Sequence, residues 1–293
     1  MCRLCYTEGD SMDRSRLSLM TFPMDVDIWK KTMSVADIFR LAKQAKIPHV
    51  DVMNINKKDL ELYCAAIQET GVRVYVYIMR VSFLGSCKKR NRAIEKGLKI
   101  ADRLGAKYMM IVPYCFPDAY RAKKLGAAEV KKRMIDGFRY AVCRAKPLEI
   151  HVCFETTPHD ASCLSGAQDC IDVLDAVSGL EFVFDTANML PHGDDPLEAY
   201  EMLKDRISHV HLKDVVLLSG KHILPHSEHT PDGKQMKCVV WGTGIIPVFE
   251  LYNRMIADGY QGQFAVEYVH PENGPCAIAN HIQHLSSFFD VRK

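Results

Sequence analysis

The chain has 293 residues, a net charge of +2, and 48% apolar and 25% charged side chains, ordinary values for a globular protein with a sizeable core. Interleaved, nearly balanced charge gives no electrostatic footing for nucleic acid or an anionic membrane. No apolar run approaches the roughly 18–20 residues that span a bilayer. Residues 1–16 are polar and lack the apolar middle of a signal peptide. The 11 cysteines are odd in number and irregularly spaced, which reads as reduced thiols, so a cytoplasmic protein is expected. Cys2 and Cys5 form a CxxC with no second pair nearby, and residues 1–16 are taken as a polar tail.

Short β-branched or aromatic runs alternate with helical patterns about every 30–35 residues, which predicts repeated β-α units. The first strand is expected at 17–22, followed by a helix that Ser34 caps, with Val35, Ile38, Phe39 and Leu41 at helical spacing. A second strand at 49–53 precedes a helix at 58–70, which Gly71 ends. The third unit pairs 73–79 with a helix at 87–104, and the fourth pairs 107–112 with 127–145. Strands at 150–155, 181–185, 207–212 and 263–268 follow, with helices at 166–177, 196–203, 246–257 and 276–289. Eight strands and eight helices in alternation predict one (β/α)8 barrel of the α/β class over residues 1–293. A long connection, 214–244, separates the seventh strand from its helix. It lies on the face where barrel active sites are built, so a lid is expected.

Four polar residues close apolar strands at that face: Glu155, Asp185, His211 and Glu267. Charged groups are seldom left unpaired at the mouth of a buried strand. Three carboxylates and an imidazole repel one another unless a cation lies between them, and this O and N donor set suits Mn²⁺, Mg²⁺, Co²⁺ or Zn²⁺. His209 shares a strand face with His211 by the period of two, one serving as ligand and the other as packing. Arg80 ends the third strand and is a candidate for a substrate oxygen or phosphate, or for a structural ion pair. His192 and His270 lie near the mouth by spacing. His222, His226 and His229 need a helix to converge on a second metal, and Pro225 argues against one.

These motifs resemble the xylose isomerase-like barrels, a superfamily of sugar isomerases and epimerases that includes inosose dehydratases and abasic-site endonucleases. The resemblance covers nearly the whole chain and is carried by Phe154-Glu155-Thr156, Phe184-Asp185-Thr186-Ala187-Asn188, His209 to Asp214, Gly242 to Ile246, and Val266-Glu267. It implies that Glu155, Asp185, His211 and Glu267 bind one divalent ion, Mn²⁺ by preference, and that Glu155 and Glu267 also act as acid and base. In such a reaction the ion stabilises an enediolate, while one carboxylate removes a proton and the other returns one from the opposite face.

The departures narrow this expectation. Free-ketose 3-epimerases carry His and Arg where this chain has Asn188 and Leu217. Asp185-x-x-Asn188 followed by His211-x-Lys213-Asp214 is closer to the branch that epimerises pentulose 5-phosphates. Lys213 is then a candidate for an anionic or hydroxyl group of the substrate, or else a surface partner of Asp214. The additional histidines of the endonuclease branch are missing at Ile78-Met79-Arg80 and Pro113-Tyr114-Cys115, which argues against nucleic acid as substrate. The expectation is a metal-dependent isomerase or epimerase of a small ketose or ketose phosphate, compatible with a homo-oligomer, with Asn188, Lys213, Arg80 and His192 as substrate contacts. A dehydratase using the same base and metal, or a non-catalytic sugar-binding barrel, are the rival readings.

Overall fold

Eight parallel strands close on themselves in the computed structural model, which describes residues 13–24, 33–53, 55–113, 118–158, 164, 166–219, 227–230 and 232–268. The first seven are β1 (Leu17–Met20), β2 (His49–Met53), β3 (Arg73–Val81), β4 (Tyr108–Pro113), β5 (His151–Phe154), β6 (Leu180–Asp185) and β7 (Ile207–Leu212). After β7 come three short antiparallel strands, β8 (Asp214–Leu218), β9 (Ser227–His229) and β10 (Gln235–Val239), which form a separate sheet in the order β8-β10-β9. The barrel resumes with β11 (Phe264–Val266), which pairs with β7 on one side and β1 on the other. The fold is therefore a (β/α)8 barrel, with a small sheet where the sequence reading expected a long loop. In it β8 and β10 pair from Asp214 opposite Val239 to Leu218 opposite Gln235.

The described helices are α1 (Val35–Gln44), α2 (Leu60–Thr70), α3 (Cys87–Leu104), α4 (Asp118–Leu125), α5 (Ala127–Ala145), α6 (Ala167–Ala176), α7 (Pro196–Leu203) and α8 (Val248–Ala257). Their ends follow local chemistry. Ser34 and Asp37 form a reciprocal capping box on α1. Asp195 accepts from the N–H groups of Leu197 and Glu198 at the start of α7, with Pro196 in its first turn. Gly71 ends α2 at φ 75°, a left-handed conformation that side chains disfavour. Helix α4 is an extra element that the sequence reading left between the fourth strand and its helix. The expected helix at 276–289 lies outside the described residues. Among those described, no helix is long and apolar enough to cross a membrane.

Alternation along the strands separates two cores. Outward residues such as Leu17, Leu19, Val50, Val52, Ile111, Phe154, Phe182, Val210 and Phe264 pack with the helices in one large cluster. Phe154 sits 5.0 Å from Phe138 of α5 and 5.2 Å from Phe182, centre to centre. A Cβ at Gly137 of α5 would overlap the Phe83 ring, so glycine lets that helix pack against the loop that follows β3. Inward residues make a second cluster, Met20, Met53, Val76, Ile78, Met110, Val112, Cys153 and Val183 among them. The same inward parity carries Ser18, Asp51 and His209. Towards the carboxyl ends of the strands it carries Arg80, Glu155, Asp185, His211, Lys213 and Glu267. Two kinds of lumen result, apolar in its middle and ionic at the mouth.

Candidate metal centre and active site

The four residues that close strands β5, β6, β7 and β11 converge. Glu155, Asp185, His211 and Glu267 are all buried, and each offers a ligand atom within 4.8 Å of the others. The register explains the meeting. Asp185 lies opposite His211 in the β6–β7 ladder, and the Glu267 N–H donates to the Leu212 carbonyl at 3.2 Å, prolonging the β7–β11 pairing by one step.

Backbone and side-chain bonds hold these groups in place. Asp185 Oδ1 accepts from the N–H groups of Ala187 (2.8 Å) and Asn188 (3.0 Å), which leaves Oδ2 for the site. The Thr186 hydroxyl donates to the Lys213 carbonyl (2.7 Å) and accepts from the Lys213 N–H (2.9 Å), clasping the ends of β6 and β7. Asn188 donates through Nδ2 to the Thr156 carbonyl at 2.9 Å, tying the β6 loop to the β5 loop, while its buried Oδ1 has no hydrogen-bond partner among the described residues.

Lys213 is the residue whose role the sequence left open between substrate contact and surface pairing with Asp214. The surface pairing is corrected. Lys213 is 5% exposed, and its Nζ lies 2.7 Å from Asp185 Oδ2 and 3.0 Å from Glu267 Oε1. Asp214 faces the other way, with Oδ2 accepting from the N–H groups of Gly242 (2.8 Å) and Gly244 (2.9 Å). Its Oδ1 accepts from Val215 (2.9 Å) and Ile246 (3.1 Å). A Cβ at Gly244 would overlap this carboxylate, which accounts for glycine in the Gly-Thr-Gly motif.

The electrostatics are those of a crowded ionic cluster. His211 Nδ1 approaches Glu155 Oε2 at 3.0 Å and Glu267 Oε2 at 3.2 Å. Yet among the described residues Glu155 Oε2, Asp185 Oδ2 and both His211 nitrogens lack a partner in hydrogen-bond geometry. Burial opposes a charge on His211, but Glu155 and Glu267 outweigh it and hold the imidazole well above its usual range. Burial likewise opposes charge on Glu267, and Lys213 and His211 prevail to keep its carboxyl well below the carboxylate range. At Asp185 burial dominates despite Lys213, and the carboxyl is pushed up to about 7. Buried, convergent oxygen and nitrogen atoms that are close without bonding one another fit a divalent cation among them.

The remaining candidates are placed less centrally. Arg80 is exposed at the end of β3, on the inward parity of Ile78, with its guanidinium 5.8 Å from the Phe22 ring centre. His192 ends a short 3-10 turn and lies 3.3 Å from the Thr157 carbonyl through Nε2. Leu217 lies in β8 opposite Met236, so the sheet occupies the position where free-ketose epimerases carry an arginine. His222, His226 and His270 lie outside the described residues, and His229 is described only as backbone in β9. Sequence reasoning missed Asp51, which accepts from Ser18 Oγ at 2.6 Å and lies 2.7 Å from His209 Nε2 inside the lumen. Its only sequence signal was a carboxylate inside an otherwise apolar strand.

Comparison with known proteins agrees with the architecture. A family model described as xylose isomerase-like TIM barrel matches residues 39–288. A search of curated proteins gives no match. Among solved structures, the IOLI protein with a bound zinc atom aligns over 94% of this chain and 97% of its own at 16% identity, with a TM-score of 0.74. A probable 3-DHS dehydratase, AsbF of Bacillus anthracis, aligns over 92% and 98% at 14% identity, TM-score 0.71. The E. coli 3-keto-D-glucoside 4-epimerase YcjR aligns over 93% and 99% at 16% identity, TM-score 0.67. Likeness at such identities speaks to the fold alone.

Proposed function

Because the chain belongs to the xylose isomerase-like TIM barrel family, we propose that it is a divalent-metal-dependent isomerase or epimerase of a small ketose or ketose phosphate. The observation that carries this reading is the meeting of two glutamates from different strands, Glu155 and Glu267, about one imidazole nitrogen at 3.0 and 3.2 Å. Glu155, Asp185, His211 and Glu267 are the ligands, and Mn²⁺ suits their mixed carboxylate and imidazole set. When bound, the ion would stabilise negative charge developing on substrate oxygens.

The protein groups do the rest. One of Glu155 and Glu267 removes the proton beside the carbonyl, and the other delivers a proton to the opposite face. Lys213 adds a buried positive charge where the substrate becomes anionic. Asn188 Oδ1, buried and without a partner among the described residues, is suited to accept from a substrate hydroxyl. Arg80 at the end of β3 and His192 in the turn after β6 are the further substrate contacts, and Arg80 is the group we assign to a phosphate or terminal oxygen. Two similar structures bear the names of a 3-keto-D-glucoside 4-epimerase and a probable 3-DHS dehydratase, which supports an epimerase reading with a dehydratase as its rival. Cys153 and Cys170 are buried thiols, consistent with a reducing, cytoplasmic setting.

The test is a panel of ketoses and ketose phosphates in D₂O with Mn²⁺. The true substrate should incorporate deuterium at the carbon beside its carbonyl. Loss of water instead would identify the dehydratase. Binding without exchange across the panel would leave a sugar-binding barrel. Glu155→Gln and Glu267→Gln should each lower epimerisation by ~10²–10⁴-fold, and one of them should retain exchange without inversion. Near wild-type epimerisation by both variants would overturn the two-base assignment.

A further inference from the structure

Below the mouth, the lumen holds a second polar group that the proposed chemistry does not use. Ser18, Asp51 and His209 are each 0% exposed. Ser18 Oγ donates to Asp51 Oδ1 at 2.6 Å, and Asp51 Oδ2 lies 2.7 Å from His209 Nε2. The His209 ring meets the His211 ring edge to face, with centres 5.3 Å apart and planes at 88°. The Tyr75 ring also packs against His209, with centres 5.3 Å apart. Ligand-capable atoms of Asp51, His209 and His211 fall within 4.8 Å of one another.

Two readings compete for this cluster. As a second cation site it is poor, because Asp51 and His209 already satisfy each other and His211 faces the upper site through Nδ1. As a support for His211 it is well made. A metal-binding imidazole must hold its ring in one orientation to present a nitrogen to the ion, and the groups packed against the ring set that orientation. The Nδ1 of His211 faces Glu155 and Glu267, while its buried Nε2 has no hydrogen-bond partner among the described residues. The ring beneath it is held by a carboxylate that is itself anchored by a serine.

We propose that Asp51 and His209 are positioning residues that fix the orientation of His211, so that its Nδ1 is presented to the divalent ion. This rests on the reading that Glu155, Asp185, His211 and Glu267 bind that ion. Neither residue touches substrate. Their effect reaches the chemistry through the affinity of the site for its ion.

The experiment measures Mn²⁺ binding to chelator-stripped full-length protein by isothermal titration calorimetry, below the unfolding temperature of every variant. Asp51→Leu and His209→Leu should weaken Mn²⁺ binding by about 10-fold, the low end of the ~10–100-fold that outer-shell partners contribute, because the pair acts on His211 by ring packing. His209→Gln keeps a side-chain N–H donor for Asp51 and should restore most of the affinity. If the leucine variants fail to fold, Ser18→Ala loosens Asp51 alone and should weaken binding in the same direction by a smaller factor. Lower thermal stability with unchanged Mn²⁺ affinity in the folded variants would reduce the pair to packing and overturn the proposal. Absence of Mn²⁺ binding by the wild type would instead defeat the metal reading on which it rests.

Discussion

Replacing Lys213 with methionine tests whether its ammonium is the internal counter-charge of the acidic cluster. Methionine keeps the length and apolar stem of lysine and deletes only the charge that touches Asp185 at 2.7 Å and Glu267 at 3.0 Å. Removing one partner from a buried ion pair typically costs about 3–5 kcal/mol, because the other charge is left buried and uncompensated. At ~2.1 cal/mol/K of unfolding entropy per residue, a 293-residue chain loses about 1 °C for each ~0.6 kcal/mol. The variant should therefore melt about 5–8 °C below wild type when stripped with chelator. Saturating Mn²⁺ supplies a cation to the same two carboxylates, so the deficit should shrink markedly. Differential scanning calorimetry with and without Mn²⁺ measures both numbers. An unchanged melting temperature in chelator, or the same deficit in both conditions, would refute the assignment of Lys213 as that counter-charge.

Other expectations follow from the same geometry. His211 is held well above its usual pKa in the metal-free protein, so it is protonated at neutral pH and must release a proton to become a ligand. Its stabilising contribution to the metal-free fold is complete below the unfolded value of ~6.5 and is lost as pH rises through the folded one. Metal affinity should accordingly strengthen with rising pH, and titration calorimetry near pH 7 in buffers of different ionisation enthalpy should show between one and two protons released per ion, one from His211 and part of one from Asp185, whose carboxyl is pushed up to about 7. No buffer dependence would contradict this. Asp214→Ala strips acceptors from four backbone N–H groups and should destabilise the protein by at least about 1–3 kcal/mol, read in urea melts. A variant within a few tenths of wild type would show that water replaces the carboxylate freely.

The periodic features of the chain were the legible ones. Helices 87–104, 127–145 and 196–203 begin and end where apolar spacing, glycine and capping residues place them. The strands that deliver Glu155, Asp185, His211 and Glu267 were visible as apolar runs ending in a charge. The 214–239 sheet was not, because its strands are short and their pairing is non-local, so Asp214 to Leu218 read as loop. The partner of Lys213 was hidden for a related reason. Asp214 is adjacent in sequence, yet successive strand residues point to opposite faces, and the lysine meets Asp185 and Glu267 instead. Asp51 finds its partner 158 residues away in His209, a distance over which no local pattern speaks.

The clasp between Thr186 and Lys213 has a consequence for ion choice. One hydroxyl both gives to and takes from the same residue across the β6–β7 seam, so the two strand ends cannot slide past each other without losing both bonds. Asp185 and His211 ride on that seam, directly opposite each other. If Glu155, Asp185, His211 and Glu267 hold an ion as proposed, a larger or smaller one would be met by rotation of the glutamates just past β5 and β11, not by movement of the β6–β7 edge. In the proposed site the aspartate and histidine would act as a fixed jaw and the glutamates as the moving one, so exchanging one divalent metal for another would change chiefly the placement of the two groups proposed to handle the proton.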